Sequence, residues 1–270
     1  PSAAARLLAD MFRDLSGDIK VLDAGAGVGS LTGALIERAL ESFSPNTIEA
    51  NAWELDSILV ENLHETLEVC EERCQSLNVS FGSKVNSRDF IEHAVALLKL
   101  KESGEETLVF NKAILNPPYL KISAKSKERE LLRSVGVEAG NLYSCFVALA
   151  IMLLEKGGEL VAITPRSFCN GPYFNDFRRI LLSNNNLTKL HVFESRTKAF
   201  KEDKVLQENV VFHIVKGEEQ GAVDIVSSTC ADDPKPSIRR AEFKEVVNPH
   251  NPNRFIHIVT NDEEAFIAKR

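Results

Sequence analysis

A chain of 270 residues can form one large α/β domain, or one domain with a small appendage. Its apolar content of 44% is ordinary for a globular protein, and no apolar run is long enough to cross a membrane, which argues against a membrane partner. The net charge of −7 conceals a basic section: residues 111–216 hold 16 Lys or Arg against 10 Asp or Glu, whereas residues 1–110 hold 9 against 19. Such a section is typical of a protein that contacts nucleic acid, although a solvated face gives a smaller asymmetry of the same kind.

The five cysteines show neither a Cys-x-x-Cys pair nor a spacing typical of metal ligands. Cys70 and Cys74 lie one helical turn apart, which suits reduced residues on a helix. We therefore predict a cytoplasmic protein without a bound metal. The chain begins at Pro1 rather than methionine, and Arg270 follows an apparent helical start, so we expect both ends to continue in a longer polypeptide.

Hydrophobic periodicity predicts helices and strands that alternate along most of the chain. The predicted helices span residues 1–15, 30–43, 57–74, 91–100, 141–154 and 173–182. The predicted strands span residues 19–23, 48–54, 79–81, 109–115, 159–163, 187–193 and 209–216, with weaker signals at 223–226, 243–247 and 255–259. This alternation indicates an α/β fold with a parallel sheet.

The first predicted strand ends in a glycine-rich turn. The turn consists of Asp23, Ala24, Gly25, Ala26, Gly27, Val28 and Gly29. Glycines let the backbone approach a ligand closely, and the helix that follows supplies free N–H groups. A carboxylate before the first glycine repels phosphate and attracts an ammonium group. The G-x-G-x-G spacing also differs from the dinucleotide pattern, so an amino-acid-bearing cofactor fits better than a nicotinamide cofactor.

Acidic residues follow the next two strands. Glu54 ends the second strand, where an acidic side chain can bind ribose hydroxyls, while Asp56 is the better candidate for capping the next helix. Asp89 and Phe90 come after the third strand. An acidic and an aromatic residue at this position suit an adenine, with Asp89 at its amine and Phe90 beside its ring.

The fourth strand ends in Asn116, Pro117, Pro118 and Tyr119. Two prolines cannot continue a strand, so the chain turns at the carboxyl edge of the sheet, where α/β proteins bind ligands. The Asn116 side-chain oxygen and the Pro117 carbonyl are acceptors, and Tyr119 supplies a stacking ring. This set suits a planar group with an exocyclic NH2, although a plain tight turn has the same residues.

Basic residues are frequent beyond this turn. The section from Lys121 to Glu138 is either a lid that touches phosphates or a solvated helix face. Phe200 lies among Arg and Lys residues in the loop between the sixth and seventh strands, which suits a flipped base as well as an ordinary anchored hairpin.

Together, the glycine-rich turn, Glu54, Asp89-Phe90 and the Asn116–Tyr119 turn resemble the motif series of the gamma-class N6-adenine DNA methyltransferases. These enzymes belong to bacterial restriction-modification systems, and some are fused to a nuclease. The resemblance covers residues 1–216. It implies a doubly wound, mostly parallel seven-stranded sheet of the S-adenosylmethionine-dependent methyltransferase type, with a reversed last hairpin.

The resemblance also implies roles for single residues. The turn from Asp23 to Gly29 would hold the methionine end of S-adenosylmethionine, Glu54 its ribose, and Asp89 with Phe90 its adenine. The catalytic residues would be Asn116, Pro117 and Tyr119. Asn116 would also contact the cofactor. Tyr119, Phe200 and Lys121 would contact the substrate, double-stranded DNA.

Residues 217–270 are then expected to be either a small β-rich extension or the start of a truncated target-recognition region. A restriction endonuclease would be a fused or separate partner. Enzymes that methylate RNA bases or a protein glutamine share the Asn-Pro-Pro-Tyr turn, so these substrates stay open. A catalytically idle cofactor-fold module that binds DNA is the other alternative.

Overall fold

Strands and helices alternate along most of the chain, as the hydrophobic pattern predicts. The computed structural model describes residues 2–193, 209–248 and 250–261. The strands are β1 (Gly17–Ala24), β2 (Pro45–Trp53), β3 (Ser80–Asn86), β4 (Phe110–Leu115), β5 (Leu154–Pro165), β6 (Asn185–Phe193), β7 (Asn209–Lys216), β8 (Val223–Ser228) and β9 (Ser237–Ala241). The helices are α1 (Ala3–Ala9), α2 (Ser30–Ser42), α3 (Ser57–Ser76), α4 (Phe90–Glu102), α5 (Lys127–Ser134), α6 (Leu142–Leu153), α7 (Asn175–Leu182) and α8 (Phe243–Val246).

The nine strands of the described residues form one sheet, in the order β3-β2-β1-β4-β5-β7-β6-β8-β9. β1 pairs in parallel with β2 and β4, and the parallel pairing continues to β3 on one side and β5 on the other. β7 runs antiparallel between β5 and β6, as the reversed hairpin that the family resemblance implies. The predicted α/β fold with a mostly parallel sheet is confirmed.

Helices cover both faces of this sheet because the strands alternate their apolar side chains between two clusters. In β1, Ile19 and Val21 pack in the cluster that contains side chains of α1 and α2. Leu22 and Ala24 pack in the cluster that contains side chains of α4 and α6. Burial on both faces explains why β1 reads as a nearly continuous apolar run. The doubly wound arrangement follows from this alternation.

The sheet has nine described strands rather than the seven that the family resemblance implies. β8 pairs in parallel with β6, with Leu190 opposite Ile225, and β9 pairs antiparallel with β8 at the edge. Both strands lie within residues 217–270, the section predicted as a small β-rich extension. The family pattern omits them because they follow the last strand that the pattern covers.

The short strands predicted at residues 243–247 and 255–259 are wrong. Residues Phe243–Val246 form the short helix α8, and Val247 pairs with Ile256 only through an isolated bridge. Phe243 and Val246 are spaced by three residues, which places them on one side of a helical turn but on opposite faces of a strand. Short apolar runs of this kind do not separate the two structures by themselves.

The order of the strands positions a ligand site. β2 and β4 lie on opposite sides of β1, so the chain leaves the carboxyl ends of β1 and β4 in different directions. Such a reversal opens a crevice at the carboxyl edge of a parallel sheet. The glycine-rich turn follows β1, Glu54 follows β2, Asp89 follows β3 and Asn116 follows β4. The fold therefore brings the predicted site residues to one edge.

None of the described helices combines the length and the apolarity that a bilayer span requires. In the described ranges, no group of three or more His, Cys, Asp or Glu side chains is arranged to hold a metal ion. All five cysteines are free, and four of them are buried.

A buried charge network lies at the other edge, near the amino-terminal ends of β4 and β5. The carboxylate of Glu159 accepts hydrogen bonds from Lys112 Nζ at 2.5 Å, His213 Nε2 at 2.8 Å and the backbone N–H of Arg13 at 2.8 Å. Burial raises the pKa of Glu159, but the hydrogen bond from His213 and the charge of Lys112 outweigh it and lower the pKa to about 2. The network ties β4, β5 and β7 together far from the predicted site.

A second buried histidine makes stability depend on pH. His191 on β6 is 4% exposed, and its Nε2 lies 2.7 Å from Ser228 Oγ. Burial, and then the charge of Lys189, lower the pKa of His191 from 6.5 to about 4. The unfolded chain therefore binds this proton near pH 6.5, whereas the folded chain binds it only near pH 4. The stabilisation is complete above pH 6.5 and is lost as the pH falls towards 4.

This shift corresponds to about 3 kcal/mol. We expect the free energy of unfolding of the wild-type chain, measured in urea, to fall between pH 7 and pH 4. His191→Gln removes the titrating group, so its loss over the same interval should be smaller by about 3 kcal/mol. His64→Gln, at an exposed position of α3, is the control and should keep the wild-type loss. Equal losses in the wild type and in His191→Gln would contradict this assignment.

Candidate active site

The turn after β4 exposes an acceptor beside an aromatic hydroxyl. Asn116 is exposed, Pro117 is buried, and Tyr119 is 41% exposed. The Tyr119 hydroxyl has two acceptors within reach of its single proton: Asn116 Oδ1 at 3.2 Å and the carbonyl oxygen of Ile163 at 3.4 Å. Burial raises the pKa of Tyr119 to about 12, so this hydroxyl stays a donor at neutral pH. The hydrogen bond fixes the direction of the Asn116 amide and leaves its oxygen a second lone pair.

The glycine-rich turn after β1 has the backbone that only glycine adopts readily. Gly25, Gly27 and Gly29 have φ values of +74°, +57° and +80°. A Cβ at Gly29 would lie 2.7 Å from Leu63 Cδ1, so a larger residue there would also have to displace the end of this side chain on α3. A Cβ at Gly25 would lie 3.6 Å from Pro118 Cδ. The two predicted turns therefore lie next to each other, close enough that one added carbon at Gly25 would contact Pro118.

The carboxylate at the end of β1 is buried and incompletely satisfied. Asp23 Oδ2 accepts a hydrogen bond from Thr32 Oγ1 at 2.7 Å. Asp23 Oδ1 is buried and has no hydrogen-bond partner within the described part of the chain. Burial raises the pKa of Asp23 to about 7, although the hydrogen bond from Thr32 opposes the shift. An oxygen in this state suits a donor or a positive charge that the described residues do not supply.

Glu54 is joined to the glycine-rich turn. Its Oε2 accepts from the backbone N–H of Gly27 at 2.9 Å, and its Oε1 accepts from Leu55 at 2.8 Å and Asp56 at 2.9 Å. These bonds hold the carboxylate at the mouth of the crevice. Asp56 caps α3 by accepting from the backbone N–H of Ile58, as predicted. Glu54 is thus free of the capping role.

Asp89 and Phe90 have structural roles at the start of α4. Asp89 is the N-cap residue and its Oδ1 accepts from the backbone N–H of Glu92 at 2.9 Å. Phe90 is 2% exposed, and its ring centroid lies 5.3 Å from that of Trp53 in an edge-to-face contact. Phe90 therefore offers almost no surface to a ligand in this structure. The predicted contacts of both residues with an adenine stay predictions.

The predicted substrate residues are placed only in part. Lys121 is exposed two residues after Tyr119 and pairs with Asn141 through an isolated bridge. Phe200 lies outside the described residues. Within the section from Lys121 to Glu138, Arg129 and Arg133 form ion pairs with Glu138, so α5 presents an ion-paired face.

Tyr143 lies near the site, although the sequence pattern does not identify it as a site residue. Tyr143, inside the apolar helix α6, makes an edge-to-face contact with Tyr119 at a centroid distance of 6.2 Å. Its hydroxyl lies 3.3 Å from Ser167 Oγ, in the turn after β5. In the sequence, α6 shows only an apolar spacing. That spacing predicts residues of the core, but it does not identify which of them reaches the site. Burial raises the pKa of Tyr143 to about 12, so its hydroxyl also stays protonated.

The amino-acid sequence of this chain is similar to those of known proteins. The model of the Eco57I restriction-modification methylase family matches residues 36–200, more than half of the chain. The chain belongs to this family. Type II methyltransferase M.PstI of Providencia stuartii is 50% identical to this family member over 270 residues, and M.BsuBI of Bacillus subtilis is 44% identical over 274 residues.

Both alignments include 100% of this Eco57I-family chain, but only 52% of M.PstI and 53% of M.BsuBI. The chain thus spans about half the length of these curated relatives. A class I S-adenosylmethionine-dependent methyltransferase structure from Listeria monocytogenes superposes with a TM-score of 0.60 at 13% identity. That match covers 85% of this chain and 64% of the other. It confirms the methyltransferase fold, and the family match confirms the resemblance to restriction-modification methylases.

Proposed function

We propose that this chain is the catalytic part of an enzyme that transfers a methyl group from S-adenosylmethionine to N6 of an adenine in double-stranded DNA. The observation that carries the proposal is that the glycine-rich turn and the Asn116–Tyr119 turn follow neighbouring parallel strands and lie next to each other. The first turn suits a cofactor with an amino-acid end, and the second suits a planar amine. Their proximity allows donor and acceptor to meet at one edge of the sheet.

The residues present fit this cofactor. The unpartnered Asp23 Oδ1 suits the ammonium group of the methionine end, which would satisfy a buried carboxylate oxygen. Gly25, Gly27 and Gly29 have left-handed backbone and no side chain, which leaves room for close approach. Glu54 would bind the ribose hydroxyls, and Asp89 with Phe90 would lie near the adenine. When bound, S-adenosylmethionine supplies a methyl group attached to a positively charged sulfur.

In this proposal, the chain acts by positioning the N6 amine of the target adenine. A target adenine inside a duplex is out of reach, so it must be extruded. Tyr119 would stack on the extruded base, and Asn116 Oδ1 with the Pro117 carbonyl would accept the two N6 hydrogens. These bonds would draw the nitrogen lone pair out of ring conjugation and direct it at the methyl carbon, so that the N–C bond forms as the C–S bond breaks and one N6 proton passes to solvent. Preorganised acceptors supply this effect without a strong base.

DNA is the substrate that the charge distribution and the family support best. The Eco57I family is one of restriction-modification methylases. Residues 111–216, which begin beside the catalytic turn, carry the excess of Lys and Arg. We propose that a target-recognition region follows the catalytic part and begins in or after residues 217–270. We further propose that a restriction endonuclease, fused or separate, accompanies it, and that the protein is cytoplasmic.

The alternatives differ in the substrate or in the activity itself. RNA bases and protein glutamine present the same kind of amine to the Asn116–Tyr119 turn. An idle module that only binds DNA would keep the fold without turnover. Against the idle module stand Asp23, Glu54 and Asn116, which are all present and brought to one edge.

The proposal is tested with the natural full-length protein and methyl-labelled S-adenosylmethionine. Double-stranded DNA, RNA and a cell protein extract are offered in parallel, and label in each fraction is counted. We expect label in DNA. Label confined to RNA or protein would reject DNA as the substrate and keep the roles of Asn116 and Asp23. Bound cofactor without label in any fraction would favour the idle module.

A further inference from the structure

A rigid turn follows β5, beside the catalytic turn that follows β4. It consists of two 3₁₀ segments, Arg166–Phe168 and Pro172–Phe174, joined by three residues. We name residues 166–174 the β5 turn. β5 pairs directly with β4, so the β5 turn and the Asn116–Tyr119 turn leave neighbouring strands at the same edge.

A buried arginine fixes the backbone of the β5 turn. Arg178 is fully buried, and its Nη1 donates to the carbonyls of Phe168 at 2.7 Å and Gly171 at 2.8 Å. Its Nε donates to the carbonyl of Asn253 at 2.7 Å. The Nη1 bonds link α7 to the first 3₁₀ segment and to the residue just before the second. The loop is therefore shaped before any ligand binds.

Glycine and proline restrict the same backbone further. A Cβ at Gly171 would lie 2.6 Å from the carbonyl oxygen of Ser167 and 2.8 Å from Phe174 Cδ2, so no other residue fits without a shift. Pro172 follows at the first position of the second segment and fixes its own φ. The backbone at the tip of this turn is thus held in a defined conformation, which lowers the entropic cost of presenting a side chain there.

That tip carries an aromatic ring in solvent. Tyr173 is 91% exposed, the highest exposure among the large apolar and aromatic side chains of the described residues. The next residue, Phe174, faces inward and stacks on Tyr143 with a centroid distance of 5.8 Å and an interplanar angle of 28°. Tyr143 in turn contacts Tyr119. Two ring contacts therefore connect the base of the Tyr173 tip to the catalytic turn.

The same turn carries exposed polar groups. Arg166, Ser167 and Asn170 are all exposed. A guanidinium, a hydroxyl and an amide are the groups that proteins use on phosphate and sugar. Together with an exposed ring on the same turn, they form the combination found at single-stranded nucleic-acid surfaces.

We propose that Tyr173 stacks on a DNA base next to the target adenine and stabilises the opened duplex, while Arg166 contacts the flanking phosphate. The inference rests on the proposed function, since it requires DNA at the Asn116–Tyr119 turn. Phe174 is two ring contacts from Tyr119, and Tyr173 is the residue before it in the chain, so the exposed ring lies beside the catalytic turn, where the nucleotides next to the target would pass. Extrusion of the adenine leaves a gap in the stack, and a rigid aromatic tip compensates the lost stacking.

The test uses the full-length protein and a duplex that contains its methylation site, with 2-aminopurine at the target position. Fluorescence reports extrusion of that base, and titration gives the affinity. Tyr173→Ala should weaken binding by about 10-fold, in line with the loss of one base–aromatic stack, and reduce the fluorescence gain. Tyr173→Phe should behave as wild type because it keeps the ring.

Two controls separate this role from others. Val69→Ala, at an exposed position on α3, should leave binding and fluorescence unchanged. The binding of S-adenosylmethionine should be equal in all variants. Wild-type behaviour of Tyr173→Ala, or a loss in Tyr173→Phe as large as in Tyr173→Ala, would overturn the proposal. If the wild-type protein methylates no DNA, the proposed function itself fails, whereas normal methylation with an inert Tyr173 rejects the stacking role alone.

Discussion

Asn116→Ala should lower the rate of methyl transfer at least about 100-fold and leave the affinity for S-adenosylmethionine nearly unchanged. Loss of one preorganised hydrogen-bonding group at a reacting centre costs about 100- to 1,000-fold in other enzymes. Asn116 is exposed and its side chain accepts only from Tyr119 among the described residues, so its truncation removes little folding energy. Initial rates with labelled cofactor measure the first effect, and equilibrium dialysis measures the second.

Two further variants divide the role of Asn116 into its parts. Asn116→Asp keeps an acceptor at the same position and should retain some activity. Tyr119→Phe keeps the stacking ring but removes the hydroxyl that orients Asn116 Oδ1 at 3.2 Å, so its loss should be smaller than that of Asn116→Ala. A wild-type rate for Asn116→Ala would remove Asn116 from the mechanism.

Asp23→Asn should change cofactor affinity and stability in opposite directions. Loss of the carboxylate removes the partner assigned to the ammonium group, and we expect the affinity for S-adenosylmethionine to fall about 10- to 100-fold, as for hydrogen bonds to charged groups. Without cofactor, the same change removes a buried charge that has an unpartnered oxygen. The asparagine variant should therefore unfold at a higher denaturant concentration when no cofactor is present.

The sign of the stability change follows from the pKa of Asp23. Burial raises that pKa from 3.8 to about 7, so ionisation opposes folding as the pH rises from 4 to 7. The shift corresponds to at most about 4 kcal/mol, and the difference between variant and wild type should grow over that interval. Urea unfolding at pH 5 and pH 8 measures it. Asp18→Asn, on the exposed side of β1, is the control and should alter neither quantity.

If Asp23→Asn binds the cofactor as tightly as the wild type, the assignment of Asp23 to the methionine end is wrong. The stability measurement is independent of that outcome, because it depends only on the buried carboxylate.

Much of the fold was predictable because local signals agree with the tertiary structure. The predicted strand at residues 48–54 corresponds to β2, and the predicted helix at residues 57–74 corresponds to α3. The turn at Asn116 was predictable because two prolines end a strand wherever they occur. The positions of Asp23, Glu54 and Asn116 at one edge followed from the rule that parallel strands share their carboxyl ends.

The features that were missed depend on contacts between distant residues. The pairing of β8 with β6 joins segments far apart in the chain, and their short apolar runs predict strands without predicting a partner. The cross-link from Arg178 to the β5 turn has no sequence pattern, since an arginine in a helix is ordinarily solvated. The buried position of Phe90 depends on Trp53, which lies on another strand.

The identity of the methylated atom tests the central claim most directly. DNA modified by the full-length protein is digested to nucleosides, which are separated and identified by mass spectrometry, with Asn116→Ala treated in parallel. The account predicts N6-methyladenine as the product of the wild type and its loss in the variant. Methylcytosine as the product, or N6-methyladenine formed equally by both proteins, would contradict the role given to the Asn116–Tyr119 turn.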